Sequence, residues 1–358
     1  MALTIDGFAS RRHYANHLYP IWRALPEHLR GIFYVTSSLA AEATAVGIPV
    51  AQGRVPTRPN IPILVSAYSD LRIAPHRRVV FTEHGSGQYY DTDDSSYSGG
   101  PGRERVDLFI CPNPRVAARN LARYPPSHAV AVGCPRLDQW HPPVPKPPSS
   151  PPVIAVTWHA DIRVAPETRP GIREFSPMLP LLQAAGYRLL GHGHPRIFSR
   201  LRRLYDRHGI ESVADPDEVF RRADVLIADN TSFAFEFMSL GRPVVFCSPS
   251  FYRRDFYAPP RFWDATEVYP HASTPEEVPA AVAAALTPPS PELAAARDSF
   301  IRSVYHHLDG RSSTRAAAAI VAYLEGRLED LEDLDALDHN SDDGSVPRPV
   351  DLDLRPSL

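Results

Sequence analysis

The chain has 358 residues, of which 22% are charged, and its formal net charge is −3. This length is enough for two domains of ordinary size, each with its own core. The nearly balanced charge argues against a nucleic-acid partner and against a broadly cationic face that binds membranes.

The cysteines and the first residues indicate a cytoplasmic protein. Cys111, Cys134 and Cys247 lie in or directly after apolar runs without Cys-x-x-Cys spacing. This pattern predicts buried thiols rather than disulfides or zinc ligands. The first residues lack the basic segment followed by an apolar segment that is typical of a secretory signal peptide. No segment approaches the roughly 18 consecutive apolar residues that a membrane-spanning helix needs. A basic amphipathic pattern at 197–208 leaves a peripheral contact with the inner face of a membrane open.

The first 140 residues alternate between apolar strand patterns and helix patterns. Strands are predicted at 31–36, 63–66, 78–82, 108–111 and 129–133, and helices near 11–24, 39–46 and 114–124. Such alternation predicts an α/β fold with a doubly wound parallel sheet.

A proline-rich segment, 141–152, interrupts this alternation. Seven of its twelve residues are proline, which lacks a backbone donor and has a fixed φ. The segment therefore predicts a stiff linker between an N-terminal domain, 1–140, and a C-terminal domain, 153–325.

The alternation resumes after the linker. Strands are predicted at 153–157, 187–191, 225–228 and 244–247, and helices near 175–186, 197–208, 216–222, 231–240, 275–286 and 291–307. A second doubly wound, Rossmann-type sheet is therefore expected, whereas the acidic end, 326–358, is predicted to be disordered.

Polar residues collect where the predicted strands end, which is where open α/β sheets bind ligands. His84, Gly85 and Gly87 come after the strand at 78–82. Glycines let the backbone approach a ligand, and a loop imidazole with a pKa near neutrality can take a proton from a hydroxyl. His84 is therefore a candidate general base.

Arg136 and Asp138 follow the strand at 129–133. The pattern favours an ion pair between them that fixes the entry to the linker. In the alternative, Arg136 faces the other domain and binds a phosphate in bidentate fashion.

Several histidines follow strands of the second half. His192 and His194 alternate on an extended segment, so they point to opposite sides, which is poor geometry for one metal ion. His194, which a proline follows, is the second catalytic candidate, and no metal site is predicted. His13 and His17 are predicted to be structural or solvent-facing.

The segment 224–246 combines a strand, a polar helix start and a second strand. Asn230, Thr231 and Ser232 are typical of a helix cap, and such a helix start favours an anion such as a diphosphate. Glu236, one turn later, could reach a ribose hydroxyl. Arg311 lies at a second helix start and is a further candidate for anion binding, although a plain helix-turn-helix explains it equally well.

Six short segments resemble, in order, elements of the CDP-glycerol:poly(glycerophosphate) glycerophosphotransferase family, which makes or primes teichoic-acid-like polymers. With the family's element in parentheses, they are Glu83-His84-Gly85 (Trp-His-Gly), 133–138 (Gly-x-Pro-Arg-x-Asp), Thr157-Trp158 (Pro-Thr-Trp-Arg), His194-Pro195 (His-Pro), 224–243 (Ala-Asp-x-x-Ile-x-Asp-Tyr-Ser-Ser, then Gly-x-Pro) and Asp309-Gly310 with Arg315 (Asp-Gly-x-x-x-x-Arg).

This resemblance implies a GT-B fold with a central cleft, a nucleotide-diphosphate donor such as CDP-glycerol, a polyol-phosphate acceptor and no cofactor. His84 would act as base on the acceptor hydroxyl, while His194 and the helix start at 230–232 would stabilise charge on the phosphates. The chain departs from the family where substrates would be held. Glu83 replaces a Trp, 86–89 replace Thr-Pro-x-Lys, 230–231 replace Tyr-Ser, and His159 replaces an Arg.

Two alternatives stay open at this point. The first is a glycosyltransferase or sugar-nucleotide epimerase of the same fold, which would use a UDP- or GDP-sugar, with a glycan acceptor in the case of transfer. The second is a non-catalytic nucleotide-binding module, which the altered loop at 83–89 favours.

Overall fold

The computed structural model describes residues 3–45, 47–52, 55–56, 58, 60–67, 69–72, 78–86, 102–160, 169–251 and 262–332. Within these ranges the strands form two parallel sheets. The predictions for Gly87 and for the acidic end beyond residue 332 fall outside the described residues.

The first sheet contains seven strands. They are β1 (Ile5–Ala9), β2 (Arg30–Val35), β3 (Val50–Gln52), β4 (Ile63–Val65), β5 (Val79–Thr82), β6 (Val106–Cys111) and β7 (His128–Ala131). Their order is β3-β2-β1-β4-β5-β6-β7. The strand order reverses at β1, which pairs with both β2 and β4. The carboxyl ends of strands beside such a reversal are where open α/β sheets bind ligands.

The second sheet follows the same plan with six strands. They are β8 (Val153–Thr157), β9 (Arg188–Gly191), β10 (Glu211–Ser212), β11 (Val225–Ala228), β12 (Val244–Cys247) and β13 (His271–Ala272). Their order is β10-β9-β8-β11-β12-β13. Here the reversal lies at β8, where Thr157 is in register with Ala228 of β11.

Helices alternate with the strands. They are α1 (Arg12–Ala24), α2 (Ala40–Ala45), α3 (Pro114–Arg123), α4 (Ile172–Phe175), α5 (Met178–Ala184), α6 (Phe198–Arg207), α7 (Pro216–Arg222), α8 (Phe233–Met238), α9 (Phe262–Ala265), α10 (Val278–Leu286), α11 (Pro291–Val304) and α12 (Ser312–Glu325). The predicted α/β class with two doubly wound sheets is confirmed.

Some elements differ from the sequence prediction. The helix expected near 175–186 is divided into α4 and α5 by a turn at Ser176 and Pro177, since proline cannot donate the hydrogen bond that would continue the first helix. Strands β1, β3, β10 and β13 were not predicted. Asp6 interrupts the apolar pattern of β1, yet it is fully buried because it pairs with Arg58 at 3.1 Å.

The last long helix, α12, packs on the first sheet although it follows the second in sequence. Ala316, Ala319 and Ile320 are fully buried in the core that α1 forms with this sheet. Tyr323 donates a hydrogen bond to Asp107 at 2.6 Å. After the second sheet, the chain therefore packs again on the first sheet through α12. The predicted domain boundary at residue 325 stays a prediction.

Replacing Ile320 by alanine tests whether α12 is part of the first core. Ile320→Ala leaves a cavity in a fully buried site, so we expect the free energy of unfolding to fall by about 2–5 kcal/mol. The matched change Ile32→Ala, at a side chain that is 41% exposed on β2, should have a much smaller effect. Urea denaturation monitored by circular dichroism measures both, and equal losses would contradict the packing described for α12.

Candidate active site

The carboxyl edges of the two sheets touch at Gly85 and Ser232. Gly85 follows β5 and has a φ of +67°, a region that glycine adopts without strain. A Cβ atom at Gly85 would lie 2.7 Å from Ser232 Oγ and 2.9 Å from Ser232 Cβ. Only glycine therefore lets the His84 loop approach the start of α8 this closely. The gap between the two edges around this contact is called the cleft below.

His84 lies in the cleft among aromatic side chains of α1. Its ring centroid is 5.2 Å from that of Tyr14 and 6.2 Å from that of His17. Burial lowers the pKa of His84, and a hydrogen bond to the Ser66 backbone opposes this effect. The ring is therefore neutral at pH 7, which is the state a general base needs.

Glu83, which replaces the family's Trp, directly precedes His84 and is buried. It is 7% exposed and forms an ion pair with the fully buried Arg103 at 3.1 Å. Asn120 donates a further hydrogen bond to the same carboxylate at 3.2 Å. The guanidinium of Arg103 lies over the rings of Phe81 and Phe109. A buried, fully paired carboxylate thus anchors the loop that carries His84.

The histidines after β9 face different neighbours, as their alternation predicted. His192 is 7% exposed and its Nδ1 lies 2.9 Å from Thr157 Oγ1. Burial, assisted by the charge of Arg136, lowers its pKa to about 3. His194 instead lies beside His159 and His13, with ring centroids 5.2 and 5.9 Å away. His194 is therefore the one that meets the opposite half of the chain.

The polar residues before α8 have different roles. Asn230 and Thr231 are buried, and Thr231 Oγ1 accepts a long hydrogen bond of 3.4 Å from the Phe233 N–H. The Ser232 side chain makes no capping hydrogen bond to the backbone of α8. The preceding Asp229 accepts hydrogen bonds from the backbone N–H groups of His159 at 2.8 Å and Gly171 at 3.1 Å.

Asp229 is one of the residues that the sequence reasoning missed. Burial raises the pKa of Asp229 to about 7, although the hydrogen bonds from the His159 and Gly171 N–H groups lower it. Its carboxyl group fixes the loop that carries His159. His13, Tyr14 and His17 were also missed as neighbours of the candidate histidines. His17 is only 5% exposed and its ring lies beside that of His84, while the half-buried His13 lies beside His194. That His13 and His17 are structural or solvent-facing stays a prediction. The helical spacing of 13, 14 and 17 places them on one face of α1, which could have signalled this.

Arg136 joins the two halves rather than pairing with Asp138. Its Nη2 lies 3.0 Å from Asp217 Oδ1, and its Nη1 forms an ion pair with Glu236. Although burial disfavours its charge, the two carboxylates raise the pKa of Arg136. Asp138 instead accepts the Ser312 N–H at 2.9 Å and the Ser313 N–H at 2.6 Å, capping α12. The favoured Arg136–Asp138 pair is therefore wrong, because Arg136 pairs with carboxylates of the second half and Asp138 accepts the backbone N–H groups that begin α12.

Arg311 lies at the start of α12, where its backbone N–H donates to Asp309 at 3.1 Å. Arg315 binds the same Asp309 carboxylate through two nitrogens at 2.9 and 2.7 Å. A Cβ atom at the neighbouring Gly310 would lie 2.6 Å from the His141 carbonyl oxygen. This turn thus packs against the beginning of the linker.

The described residues hold neither a metal-binding cluster nor a membrane-spanning helix. No group of three or more His, Cys, Asp or Glu side chains there is arranged to hold a metal ion. Likewise, none of the helices described is both long and apolar enough to span a bilayer.

Comparison with known structures identifies the fold as GT-B. The S. aureus MnaA–UDP co-structure is 16% identical, has a TM-score of 0.61, and the match covers 90% of this chain and 97% of that one. The wall teichoic acid polymerase TagF, soaked with CDPG, is 14% identical with a TM-score of 0.59 and covers 91% and 90%. A UDP-N-acetylglucosamine 2-epimerase assigned in Listeria monocytogenes is 13% identical with a TM-score of 0.61 and covers 91% and 98%.

A family comparison is more specific. Residues 181–322 match the family CDP-glycerol:poly(glycerophosphate) glycerophosphotransferase, which confirms the resemblance drawn from the sequence motifs. The matched range includes His194 and the segment 230–236 but begins after the His84 loop. A search of curated proteins by sequence found no match.

Replacing Gly85 by alanine tests the contact between the two edges. The methyl group would meet Ser232, and the positive φ adds about 1–2 kcal/mol of strain. Gly241→Ala is a matched control, because Gly241 also has a positive φ of +70° but nothing within 4 Å of its Cβ position. We expect Gly85→Ala to lower the free energy of unfolding more than this control, and Ser232→Gly to relieve part of the excess. Equal losses in urea denaturation would contradict the contact.

The pH dependence of stability tests the buried neutral state of His192. Its pKa is lowered in the folded state, so below about pH 6.5 the unfolded chain binds a proton that the folded chain does not. Stability should therefore fall as the pH falls from about 6.5 toward 3, and His192 should contribute up to about 1.4 kcal/mol per pH unit. His192→Gln should reduce that slope, while His28→Gln, at an exposed position, should not. Identical slopes for all three proteins would rule out this assignment.

Proposed function

We propose that the chain is a transferase that moves a polyol phosphate from a nucleotide-diphosphate donor to an acceptor hydroxyl. CDP-glycerol is the first candidate for this donor. The family match at 181–322 supports the donor class. The observation that carries the mechanism is the contact between Gly85 and Ser232, because it brings a neutral imidazole from one sheet next to the proposed phosphate-binding residues of the other.

The proposed reaction is one displacement at phosphorus. The acceptor oxygen attacks the phosphorus that carries glycerol, forming a new P–O bond, while the bond from this phosphorus to the bridging oxygen breaks. CMP leaves with that electron pair, and the acceptor proton goes to His84. Such a reaction depends chiefly on alignment and on stabilising charge at the phosphate oxygens.

The donor side is assigned to the second sheet. His194, Asn230, Thr231 and the Ser232 hydroxyl would bind the diphosphate, as the resemblance implies. The ion pair of Glu236 uses Oε2, which leaves Oε1 as the atom to meet a ribose hydroxyl. Arg136 then positions Glu236 instead of contacting phosphate directly. Arg311 stays a candidate for the same site, and Gly87 stays a candidate glycine of the His84 loop.

The acceptor side is assigned to the first sheet, where α1 and the ends of β1, β4 and β5 surround His84. A polyol-phosphate polymer of the teichoic-acid type would be the acceptor. A cytoplasmic enzyme would meet it at the inner face of the membrane. The exposed arginines of α6 support a peripheral contact with an anionic surface; they are Arg200, Arg202, Arg203 and Arg207.

A sugar-nucleotide epimerase or glycosyltransferase is the second candidate. The observation in its favour is the likeness to the Listeria 2-epimerase and to MnaA, which was solved with UDP. Both have a TM-score of 0.61, slightly above the 0.59 of TagF. A nucleotide-binding module without turnover is the third, and it predicts that His84 affects no reaction.

Calorimetric titration with CDP-glycerol, CDP-ribitol, UDP-N-acetylglucosamine and GDP-mannose tests the proposal. We expect selective binding of the CDP-alditols. Ser232→Ala should weaken it by about 10-fold, the effect of one hydrogen bond to a charged group, whereas His84→Ala should bind normally but lose turnover. His28→Ala is the control for a histidine outside the cleft. Preference for a UDP- or GDP-sugar would move the assignment to sugar chemistry, and normal turnover in His84→Ala would remove the assigned base.

A further inference from the structure

Three imidazole rings from three elements meet on one side of the cleft. His13 lies in the first turn of α1, His159 follows β8, and His194 follows β9. The His194 centroid is 5.2 Å from that of His159 and 5.9 Å from that of His13. Since α1 packs on the first sheet, this three-histidine cluster is assembled from both halves of the chain.

The backbone fixes the hydrogen positions on two of these rings. The Arg196 N–H lies 3.1 Å from His194 Nδ1. An amide can only donate, so Nδ1 is the acceptor and a neutral His194 carries its proton on Nε2. The Ala160 carbonyl oxygen lies 2.7 Å from His159 Nδ1, and it can only accept, so that nitrogen carries the proton. His194 thus presents an N–H donor without needing a positive charge.

The charged groups around the three-histidine cluster favour the binding of an anion. Among the described residues, the charged and titratable groups that act on His13 and His194 are basic or neutral, namely Arg11, Arg196, His84 and His159 together with the two rings themselves. Tyr14 packs against His13 at 4.0 Å. The first turn of α1 contains no acidic residue. Arg12 holds this helix start against the second half through Asp215 at 3.3 Å.

These surroundings keep His13 and His194 neutral in the free protein. Burial first, and then the neighbouring positive groups, lower the pKa of His13 to about 3 and that of His194 to about 2. A bound polyanion acts against both effects and raises these pKa values, because a negative charge within a few ångströms favours the charged imidazolium. It also accepts the hydrogen bonds that an imidazolium offers.

We propose that His13, His159 and His194 form one binding site for the diphosphate of the donor, completed across the cleft by His13, and that diphosphate binding is accompanied by proton uptake. The inference rests on the proposed function for the identity of the ligand. It adds His13 and His159 as ligands of the diphosphate. It also explains how the site can bind a diphosphate although His159 replaces the family's arginine. Because His13 comes from the first half, donor binding holds the two halves together.

Titration with inorganic pyrophosphate and with CDP-glycerol tests this site. The proteins are wild type, His13→Gln, His159→Gln and the control His28→Gln, each at pH 6 and pH 8 in two buffers of different ionisation heat. Glutamine keeps a donor but cannot take up a proton. We expect His13→Gln and His159→Gln to bind pyrophosphate about 10-fold more weakly. We expect His13→Gln also to take up fewer protons than wild type, and wild type to take up more protons at pH 6 than at pH 8. Unchanged thermal unfolding would show that each variant is folded.

The outcomes separate this inference from the proposed function. Pyrophosphate binding that depends on His13, without binding of CDP-glycerol, would support the cluster and overturn the proposed donor. Binding of CDP-glycerol that neither His13→Gln nor His159→Gln changes, or that involves no proton uptake, would overturn the cluster and leave the donor assignment standing. Absence of pyrophosphate binding to wild type would also overturn the cluster.

Discussion

A buried guanidinium holds the two sheets of this protein in their relative positions. Arg136 follows the last strand of the first sheet, and its partners Asp217 and Glu236 lie on α7 and α8 of the second. Loss of either carboxylate would leave a buried charge only partly compensated, at a cost of about 3–5 kcal/mol. The exposed pair of Arg12 and Asp215 spans the same gap but contributes less. The approach of Gly85 to Ser232, and with it the shape of the cleft, depends on this network.

The polar groups of the cleft are matched to a phosphorylated ligand. The carboxylates that lie nearest to it already have partners, since Glu236 pairs with Arg136, Glu83 with Arg103, and Asp229 accepts two backbone N–H groups. Among the described residues, the polar groups that remain to face the gap are imidazoles and the Ser232 hydroxyl. Such a site can stabilise negative charge without repelling it, and its histidines can exchange protons near neutral pH once an anion raises their pKa.

The sequence predicted the repeating strand and helix pattern well because both sheets are buried on two faces and their strands are continuous apolar runs. It failed at β1, where the buried Asp6 looks like a surface residue until its partner Arg58, 52 positions later, is known. It singled out His84 and His194 as catalytic candidates, an assignment that stays a prediction, but it paired Arg136 with its neighbour Asp138. Long-range partners such as Glu236, and the return of α12 to the first sheet, depend on packing between segments that no local pattern records.

The identity of the nucleotide released during turnover tests the central claim most directly. Transfer of a polyol phosphate breaks the bond between the two phosphates, so incubation with CDP-glycerol and a glycerol-phosphate oligomer should yield CMP together with an acceptor lengthened by one unit, as followed by phosphorus NMR. Release of a nucleoside diphosphate from a UDP- or GDP-sugar, with CDP-glycerol left intact, would contradict the account and identify the protein as an enzyme of sugar chemistry.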